Sequence, residues 1–103
     1  MIKIRIGEAE REFEDVEEGW INQQVNRRQA DGLEVCVEVF IEKKDIDLIL
    51  STPACGPRYG SSRSPNSTET RIIDLWNERG LNQKDFTGGN LVAFIKQLKR
   101  LLS

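Results

Sequence analysis

The chain has 103 residues, which suffice for one globular domain over residues 1–103 but not for two. Its formal net charge of −2 at pH 7 argues against a nucleic-acid partner, because nucleic-acid binders usually carry a strong positive charge. With no histidine and only two cysteines, we expect neither a metal site nor a cofactor, and histidine-dependent triads are excluded. Lys3 and Arg5 interrupt the first apolar residues, and no apolar run approaches the roughly 18 residues of a membrane span, so neither a signal peptide nor a membrane partner is predicted.

The N-terminal third of the chain is predicted to form two strands and a helix. Residues 2–6 alternate between isoleucine and a basic residue, which is the period of a half-buried strand. A Gly-Glu turn follows, and the alternating glutamates of residues 8–14 favour a second strand over a charged helical start. Asp15 and Glu18 have the spacing of a capping box, so a helix is predicted from there to about Ala30.

The clearest pattern in the chain is an alternation over residues 33–42, where every second residue is apolar. A short polar turn at residues 43–45 leads into residues 46–51, which continue the pattern. Two strands joined by so short a turn are predicted to be antiparallel neighbours. Residues 52–67 then contain all three prolines and little apolar surface, which predicts a long flexible loop whose residues 54–66 are mobile and do not support the fold.

Two helices are predicted after this loop. Asn66 and Glu69 again have capping-box spacing, and they begin a helix that ends near Gly80. Residues 91–102 place six apolar side chains on one helical stripe. Because every strand has one apolar and one charged face, the predicted fold class is α+β. It is a two-layer domain in β-β-α-β-β-α-α order, with a four-stranded antiparallel sheet and helices on one face only.

The uncovered face of the predicted sheet is acidic, which would attract basic partners or simply keep the surface solvated. The acidic side chains assigned to it are Glu8, Glu10, Glu12, Glu14, Glu34, Glu38 and Glu42.

Three less polar residues interrupt these acids, namely Cys36, Phe40 and Ile49. The expected register sets Phe40 near Asp47 and Ile49 near Glu38, so the two apolar side chains are diagonal neighbours. An aromatic residue ringed by charge is common in protein interfaces, although a further helix over this face would bury it instead. We therefore predict an interaction patch of Phe40, Ile49, Cys36 and Glu38. The predicted function is a small non-enzymatic protein-interaction or regulatory domain, whose partner is another protein or a second copy.

Cys36 and Cys55 are too few for a typical small secreted domain, so we expect free thiols and a cytoplasmic location, with a disulfide between them as the alternative. In the loop, Cys55 lies close in sequence to Arg58 and Arg63, whose guanidinium groups favour a thiolate and suit an anion. These three residues define the alternative function, a thiol-dependent or small-anion-binding protein. A cysteine hydrolase is not expected, because the chain has no histidine to act as its base.

Overall fold

The structure is a computed structural model that describes residues 1–56 and 64–102. In this part of the chain, four antiparallel strands form one sheet in the order β2-β1-β3-β4. The strands are β1 (Ile2–Ile6), β2 (Ala9–Glu12), β3 (Val37–Lys43) and β4 (Ile46–Ser51). The helices are α1 (Glu18–Ala30), α2 (Ser67–Glu78) and α3 (Gly88–Leu102), with 3₁₀ helices at Phe13–Asp15 and Pro53–Cys55. The predicted α+β class, element order and antiparallel sheet are confirmed.

The core lies between the helices and one face of the sheet, which we call the inner face. Alternate residues of the central strands point into it, since successive side chains of a strand lie on opposite faces. These include Ile4, Ile6, Val37, Val39 and Ile41, each at most 1% exposed. On the helical side, the Trp76 ring of α2 meets the Phe94 ring of α3 edge to face, with centroids 5.1 Å apart. The apolar stripe predicted for the last helix is thus part of the core.

Local sequence signals account for several element boundaries. Gly7 has φ 61°, the left-handed conformation that the predicted tight turn between β1 and β2 requires. At the start of α2, Asn66 and Glu69 form the predicted capping box, with each side chain accepting the other residue's backbone N–H. Gly80 has φ 70° and follows the end of the same helix.

The start of α1 differs from the prediction. The helix begins at Glu18, its N-cap residue is Glu17, and no side chain caps it. Asp15 lies instead in the 3₁₀ helix Phe13–Asp15, so the predicted capping box of Asp15 and Glu18 is wrong. Phe13, expected in the second strand, is 8% exposed and packs into the core from this turn. The free energy gained by burying the aromatic ring exceeds that gained by extending the exposed edge strand.

The β3–β4 hairpin is shorter and differently paired than predicted. β3 starts at Val37 rather than at Leu33, which is 55% exposed. The turn has two residues rather than three, so Phe40 lies directly opposite Ile49, and Glu42 opposite Asp47. This register is shifted by two residues from the expected one. A two-residue shift leaves every side chain on its predicted face but changes its neighbours across the strands.

No helix within the described ranges has the length and apolar character needed to cross a bilayer.

Candidate binding face on the outer side of the sheet

The face of the sheet opposite the helices, called here the outer face, carries the side chains that alternate with the core residues. The four strands align these side chains in rows across the sheet, as the pairing of Cα positions shows. One row contains Glu12, Lys3, Phe40 and Ile49, and the next contains Glu10, Arg5, Glu38 and Ser51. The outer face therefore holds an apolar pair beside a cluster of charges.

Phe40 and Ile49 form the apolar pair. They lie directly opposite each other on β3 and β4, so the structure brings them closer than the diagonal arrangement predicted from the sequence. Ile49 is 51% exposed, and Phe40 is half-buried. The Arg5 guanidinium carbon lies 5.4 Å from the centre of the Phe40 ring, a cation–π geometry that holds the aromatic side chain in place.

Arg5 also links two carboxylates. One guanidinium nitrogen lies 3.2 Å from Glu10 Oε1, and another lies 3.6 Å from Glu38 Oε1. Glu38 is only 4% exposed, so its predicted place among exposed patch residues is wrong. The sulfurs of Cys36 and Cys55 each lie within 4.8 Å of a Glu38 carboxylate oxygen, so Cys55, which follows β4 in the chain, packs against this side chain.

Cys36 and Cys55 are joined by a disulfide, with Cα atoms 4.7 Å apart. The expectation of free thiols is therefore wrong for this structure. Thr52 brings the cysteines together, because its hydroxyl donates to the Val35 carbonyl and accepts from the Val37 backbone N–H, both at 3.0 Å. These bonds continue the β3–β4 pairing past Ser51.

The predicted long loop is thus folded at both of its described ends. Thr52 is 1% exposed, the segment Pro53–Cys55 is a 3₁₀ helix, and Asn66 caps α2. The expectation that residues 54–66 do not support the fold is wrong at Cys55, which is in the disulfide, and at Asn66, which caps α2. Arg58 and Arg63, the proposed anion ligands of the alternative function, lie outside the described residues.

The predicted acidic surface is smaller than expected. Glu8 lies in the turn after β1, Glu14 in a 3₁₀ helix, and Glu34 before β3, so none of the three is on a strand. Glu10, Glu12 and Glu42 remain exposed on the outer face. Glu42 lies directly opposite Asp47 in the row next to Phe40 and Ile49, so two acidic residues adjoin the apolar pair.

Two residues of this site were not predicted from the sequence, Arg5 and Thr52. The alternation of β1 already placed Arg5 on the charged face, but pairing it with Glu38 requires knowing that β1 lies beside β3. Thr52 carried no comparable signal, because a threonine before a proline is ordinary at the end of a strand.

Comparisons of the chain with protein-family models, with curated proteins and with solved structures found no match. The side chains of the outer face are therefore the basis for inferring a function.

Proposed function

We propose that this chain is a small non-enzymatic protein-interaction domain and that it binds a protein partner through Phe40 and Ile49. The observation that carries the proposal is this cross-strand pair, which sits on the outer face with Ile49 half exposed. A single exposed apolar residue is normal, whereas an aromatic and an aliphatic residue directly opposite each other and ringed by charge have the composition of an interface centre. The absence of histidine from the chain supports a binding role over acid–base chemistry.

The charges around the pair indicate the chemistry of the partner. The exposed Glu42 lies in the row next to the pair, and the exposed Glu12 lies in the same row as Phe40. An acidic surface attracts basic groups, so a lysine or arginine of the partner would be drawn to these carboxylates. We therefore propose a partner segment that presents an apolar side chain beside a basic one. A symmetric second copy fits less well, because it would bring these exposed carboxylates near those of the other copy.

Capture of partners from the native host by tagged chain, followed by mass spectrometry, tests the proposal. Ile49→Ser should lose the specific partner, whereas Leu33→Ser should keep it. The two residues are matched, since Ile49 is 51% and Leu33 55% exposed, but only Ile49 lies on the outer face. Phe40→Ser should also lose the partner while the chain stays folded. Raising the salt concentration should weaken binding of the parent, because exposed charges are screened.

Equal loss in the Ile49 and Leu33 variants, or no loss in either, would place the interaction surface elsewhere and overturn the proposal. Unfolding of the Phe40→Ser chain would show that Phe40 is a core residue. Sedimentation of the purified chain tests whether the partner is a second copy. A dimer that the Ile49→Ser substitution dissociates would identify the partner as a second copy of the chain.

A cytoplasmic location is part of the proposal, supported by the low cysteine count. In that compartment glutathione and thioredoxin keep thiols reduced, so Cys36 and Cys55 would be present there as two thiols. Quenching the cells in acid and then alkylating thiols in denaturant with a metal chelator tests this directly. Full labelling of both cysteines supports the cytoplasm, and protection of both indicates an oxidising compartment. For the thiol-dependent or anion-binding alternative, Cys55 is in a disulfide in this structure, and Arg58 and Arg63 lie outside the described residues.

A further inference from the structure

Three groups that bind metals meet at the end of the outer face where Thr52 and Cys55 contact Val37, the first residue of β3. One ligand atom from each of Cys36, Glu38 and Cys55 lies within 4.8 Å of the other two. The Cys36 sulfur is 3.8 Å from Glu38 Oε1. The carboxylate is almost completely buried, at 4% exposed. Buried carboxylates are generally compensated by cations, either basic side chains or metal ions.

The chemistry of this set of donors is that of a zinc site once the disulfide is reduced. A phosphine reduces the disulfide with one molecule of water, which yields two thiols and the phosphine oxide. Two cysteine thiolates and one carboxylate then supply three of the four ligands of tetrahedral Zn²⁺, and water can supply the fourth. Each thiol that binds the metal releases its proton to solvent.

We propose that the reduced chain binds one Zn²⁺ ion through Cys36, Cys55 and Glu38. Zinc with these three anionic ligands has a net charge of −1, and the Arg5 guanidinium, 3.6 Å from Glu38 Oε1, offsets it. The backbone brings the ligands together without the metal, because Thr52 fixes the end of β4 beside β3 through its bonds to Val35 and Val37. The disulfide is then the oxidised, metal-free state of the same site.

A cobalt titration of the full-length chain tests this site, since Co²⁺ occupies zinc sites and reports its ligands by absorption. The chain is reduced with a phosphine, desalted without oxygen and titrated with Co²⁺. We expect one equivalent to bind, with a thiolate-to-cobalt charge-transfer band and the strong visible bands of a tetrahedral ion. Zn²⁺ should remove these bands by displacement. The unreduced chain should give none of them, because its sulfurs are joined.

Variants identify the ligands. Cys55→Ser should abolish the charge-transfer band of the one-to-one complex or reduce it to that of a single thiolate. Glu38→Gln should weaken binding more than about tenfold, because even indirect partners of a metal contribute that much. Glu42→Gln is the matched control, since Glu42 lies on the same strand and face but is exposed, and it should bind as the parent does. Ile49→Ser should also leave binding unchanged, which separates this site from the protein-binding surface.

Equal affinities for the Glu38→Gln and Glu42→Gln chains would show that the carboxylate is not a ligand and would overturn the three-ligand site. No saturable binding to the reduced, folded chain would overturn it as well. Circular dichroism covers the case in which reduction unfolds the chain. Recovery of the folded spectrum on adding one equivalent of Zn²⁺ supports the site, and failure to recover it overturns the proposal.

Discussion

Replacing Glu69 by glutamine tests how α2 is held against the edge of the sheet. The Glu69 side chain is 1% exposed, and its two oxygens accept different backbone N–H groups. Oε1 accepts from Asn66 at 3.0 Å, which satisfies a donor at the start of α2. Oε2 accepts from Asp47 at 3.1 Å, which satisfies a donor on the edge strand β4. One carboxylate therefore serves both a helix N-terminus and a sheet edge.

Glutamine has nearly the same shape but only one acceptor oxygen. In either orientation of its amide, an NH₂ group faces a backbone N–H, so one hydrogen bond is lost. A hydrogen bond to a charged group contributes about 1.5–3 kcal/mol. We expect Glu69→Gln to lower the free energy of unfolding by that amount. Glu69→Ala removes both bonds and should cost roughly twice as much.

Urea unfolding at pH 7, followed by circular dichroism, measures the effect as a shift of the midpoint at constant slope. Glu78→Gln is the control, because Glu78 is an exposed glutamate of the same helix. We expect the control to change the unfolding free energy by less than about 0.5 kcal/mol. If Glu69→Gln were as mild as the control, the two backbone bonds would not stabilise the packing of α2 on β4, and the reasoning would fail.

Three further substitutions or treatments test other parts of the fold by the same unfolding measurement. Leu98→Ala should lower the free energy of unfolding by about 2–5 kcal/mol, because Leu98 is fully buried in α3. Leu101→Ala should lower it less, because Leu101 is only partly buried. Equal losses would contradict the placement of this helix. Asn66→Ala should lower the free energy of unfolding by about 1 kcal/mol, because the side chain no longer caps α2. An unchanged free energy would mean that solvent replaces the lost hydrogen bond. Reducing the Cys36–Cys55 disulfide should lower the free energy of unfolding by about 3 kcal/mol, because the bridge links residues 19 apart and so restricts the conformations of the unfolded chain. An unchanged unfolding midpoint would show that the bridge does not restrict the unfolded chain.

The sequence predicted which face of the sheet carries the candidate binding site, but not which residues are exposed there. Alternation along β3 and β4 put Phe40 and Ile49 on the outer face, and the structure has them there. The same alternation put Glu38 on that face and implied that it was exposed. A strand pattern reports which face a side chain points to, but not what else packs over that face. Glu38 is buried, and Cys55, which is distant in sequence, brings its sulfur within 4.8 Å of the carboxylate.

By itself, the sequence determined the features that depend on neighbouring residues. The capping box of Asn66 and Glu69 spans one helical turn, so its spacing is sufficient to predict it. The stripe of α3, the turn at Gly7 and the alternation of the strands are local in the same sense. Together they led to the α+β class and the antiparallel sheet, because elements with one apolar face can be buried in only a few layered arrangements.

The tertiary structure alone decided which distant residues meet. The disulfide joins residues 19 apart, and their approach depends on where β4 ends and on the Thr52 bonds to β3. The order of the strands put Arg5 beside Glu38, and a hairpin register two residues away from the expected one put Glu42 opposite Asp47. A two-residue shift preserves the facing of every side chain, so the hydrophobic pattern cannot distinguish the two registers. Turn geometry and packing across the whole sheet supply the free-energy difference between the two registers.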